Sequence, residues 1–163
     1  MNMRTRSGLW MIMCLTFMLV SGCSSENPDE FDLEAFAKSY AAAWSSQDPE
    51  LLASHYAENG SLTVNDGEPA VGRDAVEETA RGFMTSFPDM VVRLEKLVEQ
   101  GERIEFHWRW TGTYTGPGGN GARVDLRGFE VWTFDDEGKL LQSLGHYDEA
   151  EYERQIWRYD AAN

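Results

Sequence analysis

Phe36, Tyr40 and Trp44 recur at four-residue intervals, which sets three aromatic rings along one helix face. Ahead of them, Asn27, Pro28 and Glu30 read as N-cap, first helical residue and capping-box partner, so the helix is predicted to begin there. "SSQDPE" ends it and opens a second helix, with Asp48 as cap and Pro49 in the first turn. That helix carries Leu51, Leu52 and Tyr56 until "ENG" at 58–60 stops it. "SLTVN" reads as a short strand. "GEPAVGRDAV" is a loop into a third helix whose Ala75, Val76, Thr79, Ala80, Phe83, Met84 and Phe87 form a buried face, up to Pro88.

Beyond Met90 the apolar period falls to two. Segments 90–99, 103–115, 122–135 and 139–147 read as strands joined by turns at "QGE", "GPGGNG" and "DDEG", which predicts an antiparallel meander. Helices first and sheet last is an α+β layout, in which a curved sheet wraps the helices to bury its one apolar face. Strict alternation places Phe106, Trp108, Trp110 and Gly112 on one face of their strand. It groups Leu126, Gly128, Glu130, Trp132 and Phe134 on the next, and Leu140, Gln142, Leu144, His146 and Asp148 on the last. Three ionisable groups, Glu130, His146 and Asp148, are thereby predicted to point inward. A charge on such a face costs several kcal/mol unless it is paired, protonated or wetted, so either the face is not a sealed core or the acid has a role.

The first 23 residues are set apart from this pattern. Arg4 and Arg6 precede an apolar run from Leu9 to Val20, then Ser21, Gly22 and Cys23 follow, as in a signal peptide rather than a membrane span. Small residues before a cysteine resemble the lipobox of bacterial lipoproteins, which implies a lipidated Cys23. The other reading is an ordinary secretory signal with an incidental cysteine. Ser24 after Cys23 implies, by the same resemblance, the outer membrane on its periplasmic side in a diderm host. The expected organisation is signal peptide 1–22, tether 23–30, domain 31–158 and tail 159–163. Cys14 leaves with the signal, so the mature chain has no internal disulfide.

With 28 acidic against 14 basic residues and a formal net charge of −14, the chain is expected to repel nucleic acid and anionic lipid. Three scattered histidines and no paired spacing give no metal site, and no cofactor is implied. "GPGGNG" joins two strands, so it is a hairpin loop and not a phosphate cradle. His55 and His107 are expected at the surface.

Taken in order, "DPELL", "YAENGSLTV", "VGRDAV", "WRWTGTYTG", "FEVWTFDDEGKL" and "DEAEYERQI" resemble the SnoaL-like polyketide cyclase branch of the nuclear transport factor 2-like superfamily, over nearly all of residues 31–157. The resemblance implies a conical α+β half-barrel with a pocket between sheet and helices, commonly dimeric through the outer face of the sheet. The pocket is then expected to be lined by Trp44, Tyr56, Phe83, Trp108, Trp110, Trp132 and Leu144. The position of Glu130 resembles that of the protonated aspartic acid in the ketosteroid isomerase branch, and Tyr40 falls where that branch carries its oxyanion tyrosine. Its general base corresponds to about Val64, and Asn65 or Asp66 would need a shift of register to replace it. Asp148, seven residues before Gln155, resembles the acid/base position of SnoaL-like sequences. Its other reading is the N-cap of a final helix, with Glu151 at the third position.

Two functions follow from the residues taken with this resemblance. In the first, a small apolar or carbonyl-bearing molecule undergoes cyclase- or isomerase-type chemistry, with Asp148 as proton carrier, His146 supporting it, and Glu130 and Tyr40 as hydrogen-bond donors. In the second, the cone is a non-catalytic ligand-binding or dimerisation module of the envelope, and the outward pair Phe129 and Val131 forms a homodimer contact.

Overall fold

The computed structural model describes residues 31–101, 103–119 and 121–157. Their elements run α1 (Leu33–Ser45), α2 (Pro49–Ala53), β1 (Tyr56–Val64), β2 (Ala70–Val71), α3 (Arg73–Ser86), β3 (Val91–Gln100), β4 (Arg103–Thr113), β5 (Arg123–Phe134), β6 (Leu140–Tyr147) and α4 (Glu149–Trp157). The strands form one sheet in the order β2-β1-β6-β5-β4-β3. The predicted meander is present from β3 to β6, each neighbouring pair antiparallel, but β1 lies parallel to β6, so the curved sheet is mixed.

Helices α1 and α2 begin at side-chain caps. Asp32 caps α1 by accepting from the Ala35 N–H at 2.9 Å, whereas Asn27, Pro28 and Glu30 lie outside the described residues. Tyr40 and Trp44 are buried against the sheet and Phe36 is half-buried. Asp48 caps α2 as expected, accepting from the Leu51 N–H at 3.0 Å. The second helix is shorter than its sequence pattern suggests, because Tyr56 already belongs to β1. "ENG" is therefore not a helix stop. It sits in an irregular stretch of β1, where the register against β6 slips between Tyr56 and Ser61. Gly60 is required by close approach there: a Cβ would lie 2.4 Å from the Leu140 carbonyl oxygen.

A second irregularity decides the site. On β6, Leu140 pairs with Phe134 but Gln142 pairs with Thr133, so Leu141 is an extra residue opposite the β5 ladder. One inserted residue exchanges the faces of everything after it. Ser143, Gly145 and Tyr147 consequently face the helices, and Leu144 and His146 turn to the outer face. Of the expected inward set Leu140, Gln142, Leu144, His146 and Asp148, Leu140 is buried and the rest is corrected by this bulge.

Helix α4 closes one end of the sheet. Asp125 lies beyond the end of β6 pairing, and the Gln155 side chain takes the place of a strand: its amide donates to the Asp125 carbonyl at 3.0 Å and its oxygen accepts from the Asp125 N–H at 2.7 Å. Tyr152 then stacks on Trp110, and Ile156 is buried.

Candidate functional site

Glu130 lies on the inward face of β5, as the alternation predicts, and is 6% exposed. Its Oε2 accepts three hydrogen bonds: from Ser143 Oγ at 2.6 Å, Trp132 Nε1 at 2.9 Å and the Tyr40 hydroxyl at 2.9 Å. Tyr40 and Tyr56 share a further bond of 2.7 Å. Since the one Tyr40 hydrogen goes to Glu130, Tyr56 is the donor in that pair. Tyr40, Tyr56, Trp132 and Ser143 are completely buried, and no Lys, Arg or His forms an ion pair with Glu130 among the described residues.

Burial raises the Glu130 pKa above the ordinary carboxylate range, against the three donors, which favour the charged form. Burial, and then the nearby Glu130 carboxyl, also push both tyrosine hydroxyls upward. Because Oε2 already takes three donors, a neutral Glu130 carries its proton on Oε1. A buried network of this kind is stable only if every member is satisfied, and here each of the four side chains around Glu130 has a partner.

The hollow lies beside this network. A pocket of about 60 Å³ is lined by Trp44, Val64, Phe83, Met90, Val92, Trp108, Trp110, Gly145 and Tyr147. Its position follows from backbone details. Gly128 pairs with Trp108 across β4 and β5, and the indole lies over it: a Cβ at Gly128 would be 2.5 Å from the Trp108 ring and 2.3 Å from the His146 carbonyl oxygen. Gly145 lines the pocket and also abuts the network, since a Cβ there would sit 3.7 Å from Glu130 Cγ. Glu130 is thus the neighbour of a pocket-lining position that has no side chain.

Trp44, Phe83, Trp108 and Trp110 line this cavity. Tyr56 and Trp132 do not: both are sealed in the acid network. Leu144 is on the other face, paired in register with Val131 and Thr63. His146 also faces outward, its ring 4.9 Å from Phe129, which in turn stacks on His107 at 5.5 Å. Asp148 is exposed and caps α4, accepting from the Glu151 N–H at 3.0 Å. The structure therefore brings Tyr40 and Glu130 together and leaves His146 and Asp148 away from both. Val64 puts hydrocarbon on the pocket wall. Asn65 adopts φ 48° and accepts from the Tyr147 N–H at 2.9 Å, so it belongs to a turn. Tyr147 and Gly145 are pocket residues that strict alternation missed, because the bulge at Leu141 precedes them. Cys23 lies outside the described residues. Among the described residues no cluster of His, Cys, Asp and Glu could hold a metal, and no helix is long and apolar enough to cross a membrane.

Residues 34–156 match the family of SnoaL-like polyketide cyclases, and the chain belongs to that family. Solved structures repeat the fold at low identity. TsrD from Streptomyces laurentii is 20% identical, with TM-score 0.67, over 78% of this chain and 98% of that one. A hypothetical protein with a ketosteroid isomerase-like fold from Catenulispora acidiphila, solved with trimethylamine, is 16% identical, with TM-score 0.65, over 74% and 91%. SalBIII, an epoxide hydrolase/cyclase-like enzyme of pyran ring formation in salinomycin, is 16% identical, with TM-score 0.63, over 72% and 92%. No curated protein matches the sequence.

Proposed function

We propose that this chain is a lipid-anchored envelope protein that binds a small, apolar, carbonyl-bearing molecule in the Trp44–Trp108–Trp110 pocket. Neutral Glu130 is the acid of a cyclase- or isomerase-type proton transfer. One observation carries the proposal: a carboxyl with a raised pKa, no cationic partner and two tyrosines in series packs against Gly145, a pocket-lining residue with no side chain to cover it. An acid kept neutral in an apolar site can donate to a developing oxyanion. Membership of a cyclase family and a cyclase-like structural neighbour agree with that chemistry. In this proposal Asp148 serves as a helix cap and His146 as part of the outer face.

Ligand co-purified with the protein and identified by mass spectrometry supplies the molecule to test. On it, Glu130→Gln is expected to lower turnover by about 10²-fold or more with little change in Kd. Turnover unchanged in this variant removes the acid role.

A second reading is favoured by a separate observation. Glu130 Oε2 is fully occupied by the protein's own donors, and Phe129, Val131 and Leu144 leave a half-exposed apolar strip on the outer face. This combination suits a non-catalytic ligand binder that pairs through its sheet as a homodimer. Tight binding of the co-purified ligand with no chemical change over long incubation supports it.

A further inference from the structure

The registers of β3 with β4 and of β4 with β5 set Arg93, Arg109 and Arg127 side by side in one cross-strand row on the outer face of the sheet. Like charges directly opposite one another destabilise a sheet, and this row is only partly neutralised. Asp125 accepts from Arg109 at 2.7 Å and Glu95 from Arg127 at 3.0 Å, whereas Arg93 is exposed and has no acidic partner among the described residues. Lys96, Arg103 and Arg123, all exposed, share that face by register and alternation. Six of the chain's 14 basic residues therefore gather here, against three of its 28 acidic ones, Glu95, Glu105 and Asp125. Glu99 takes the opposite parity, level with Ile104. A chain with a net charge of −14 thus carries one positive face.

The surroundings of the row decide what meets it. Arg127 is followed on the same face of β5 by Phe129 and Val131, both half-exposed, so guanidinium groups adjoin an aromatic ring and hydrocarbon. A free anion would use the arginines and leave that strip wet. A second copy laid symmetrically on this face brings like surface to like surface, and the positive excess opposes it. A phospholipid surface offers both parts, phosphates for the arginines and an acyl boundary beneath them for the apolar side chains. The acidic remainder of the chain does not forbid the contact, because charges beyond a Debye length of about 8 Å are screened at physiological salt. We propose that the outer face of β3, β4 and β5, centred on the Arg93–Arg109–Arg127 row, docks on the anionic phospholipid leaflet that holds the anchor. This rests on the envelope anchoring proposed above, since one lipid chain and one basic patch act together where each alone binds weakly. It adds an orientation: the outer face of the sheet meets lipid, and the Trp44–Trp108–Trp110 pocket, on the helix side, faces water.

The test uses the mature chain from Cys23, held on vesicles by its own lipid or, where mass spectrometry finds Cys23 unmodified, by coupling that thiol to a maleimide lipid. Phenylglyoxal then reads the accessibility of each arginine by peptide mass spectrometry. On vesicles of phosphatidylcholine mixed with phosphatidylglycerol, Arg93 and Arg127 are expected to react about three-fold or more slowly than on phosphatidylcholine alone. Arg81, on α3, is expected to keep its rate. The protection is expected to vanish in about 1 M salt. Arg127 is also expected to lose it in the double variant Arg93→Glu with Lys96→Glu, whose far-ultraviolet dichroism stays that of the wild type. Equal rates on the two kinds of vesicle, or protection that survives salt or the double variant, overturns the docking and leaves the anchor standing. Protection on both kinds that grows with protein density shows a second copy on the face and also overturns it. Protection that follows lipid charge in a chain whose Cys23 is unmodified upholds the docking and removes the natural anchor.

Discussion

The Tyr40 hydroxyl donates to Glu130 Oε2 at 2.9 Å, joining residues 90 positions apart in the chain. This bond ties the first helix to the middle of the sheet and fixes the inner end of the aromatic stripe. Tyr40 also packs edge-on against Phe106 and Trp132, so the polar contact is enclosed by ring contacts on the same residue. The acid network and the aromatic core form a single packed unit, and their responses to mutation and pH are coupled.

The first consequence is a pH dependence. A carboxyl whose folded pKa is raised contributes most to stability when neutral. Its contribution is complete below the unfolded value, about 4.3, and is lost as pH rises through the folded value. Burial raises the Glu130 pKa, so Glu130→Gln is expected to flatten the decline in stability above the acid range. Urea midpoints measured for both proteins across about pH 4 to 9 test this. Parallel profiles would mean that Glu130 titrates normally.

Gly128 sets the position of the Trp108 ring. Gly128→Ala places a methyl group where the indole and the His146 carbonyl oxygen already lie. The expected cost is about 1–3 kcal/mol, together with an altered near-ultraviolet dichroism from the displaced indole. An unchanged aromatic spectrum with full stability would show that the ring has another place to go.

Asp148 is expected to matter for α4 and not for chemistry. Asp148→Ala removes the acceptor for the Glu151 N–H and is expected to cost about 1 kcal/mol. The melting temperature then falls by a few degrees, and hydrogen exchange quickens in α4. Asp148→Asn, which can still cap, is expected to restore most of the loss. A large fall in turnover for Asp148→Asn with normal helicity would return this residue to the reaction.

The outer face makes a prediction about assembly. Phe129 lies between His107 and His146 on a strip that continues to Val131 and Leu144. In the homodimer reading, Phe129→Lys turns a dimer into a monomer in sedimentation equilibrium while the far-ultraviolet dichroism is unchanged. A wild-type protein that sediments only as monomer removes the homodimer.

Much of the architecture could be read from local pattern. The four-residue period of Phe36, Tyr40 and Trp44, the caps at Asp48 and Asp148, and the two-residue period through Trp108 and Trp110 each reflect a preference that a short segment satisfies by itself. The same holds for Glu130, whose inward position follows from an unbroken alternation along β5. Its partners could not be read in this way, since Ser143 reaches it only because Leu141 is looped out of the ladder.

That bulge marks the boundary between what the chain states and what folding adds. Residue order alone determined the α+β class, the aromatic lining of β4 and the stranded carboxyl, because helix and strand periods are local properties of the sequence. Tertiary structure decided which of Ser143, Leu144, Gly145 and His146 share the cavity side, that Tyr56 joins a strand, and that Glu130 packs beside pocket-lining Gly145. A single extra residue costs little locally yet inverts every later side chain, and only the pairing of β6 with β5 and β1 shows where it lies.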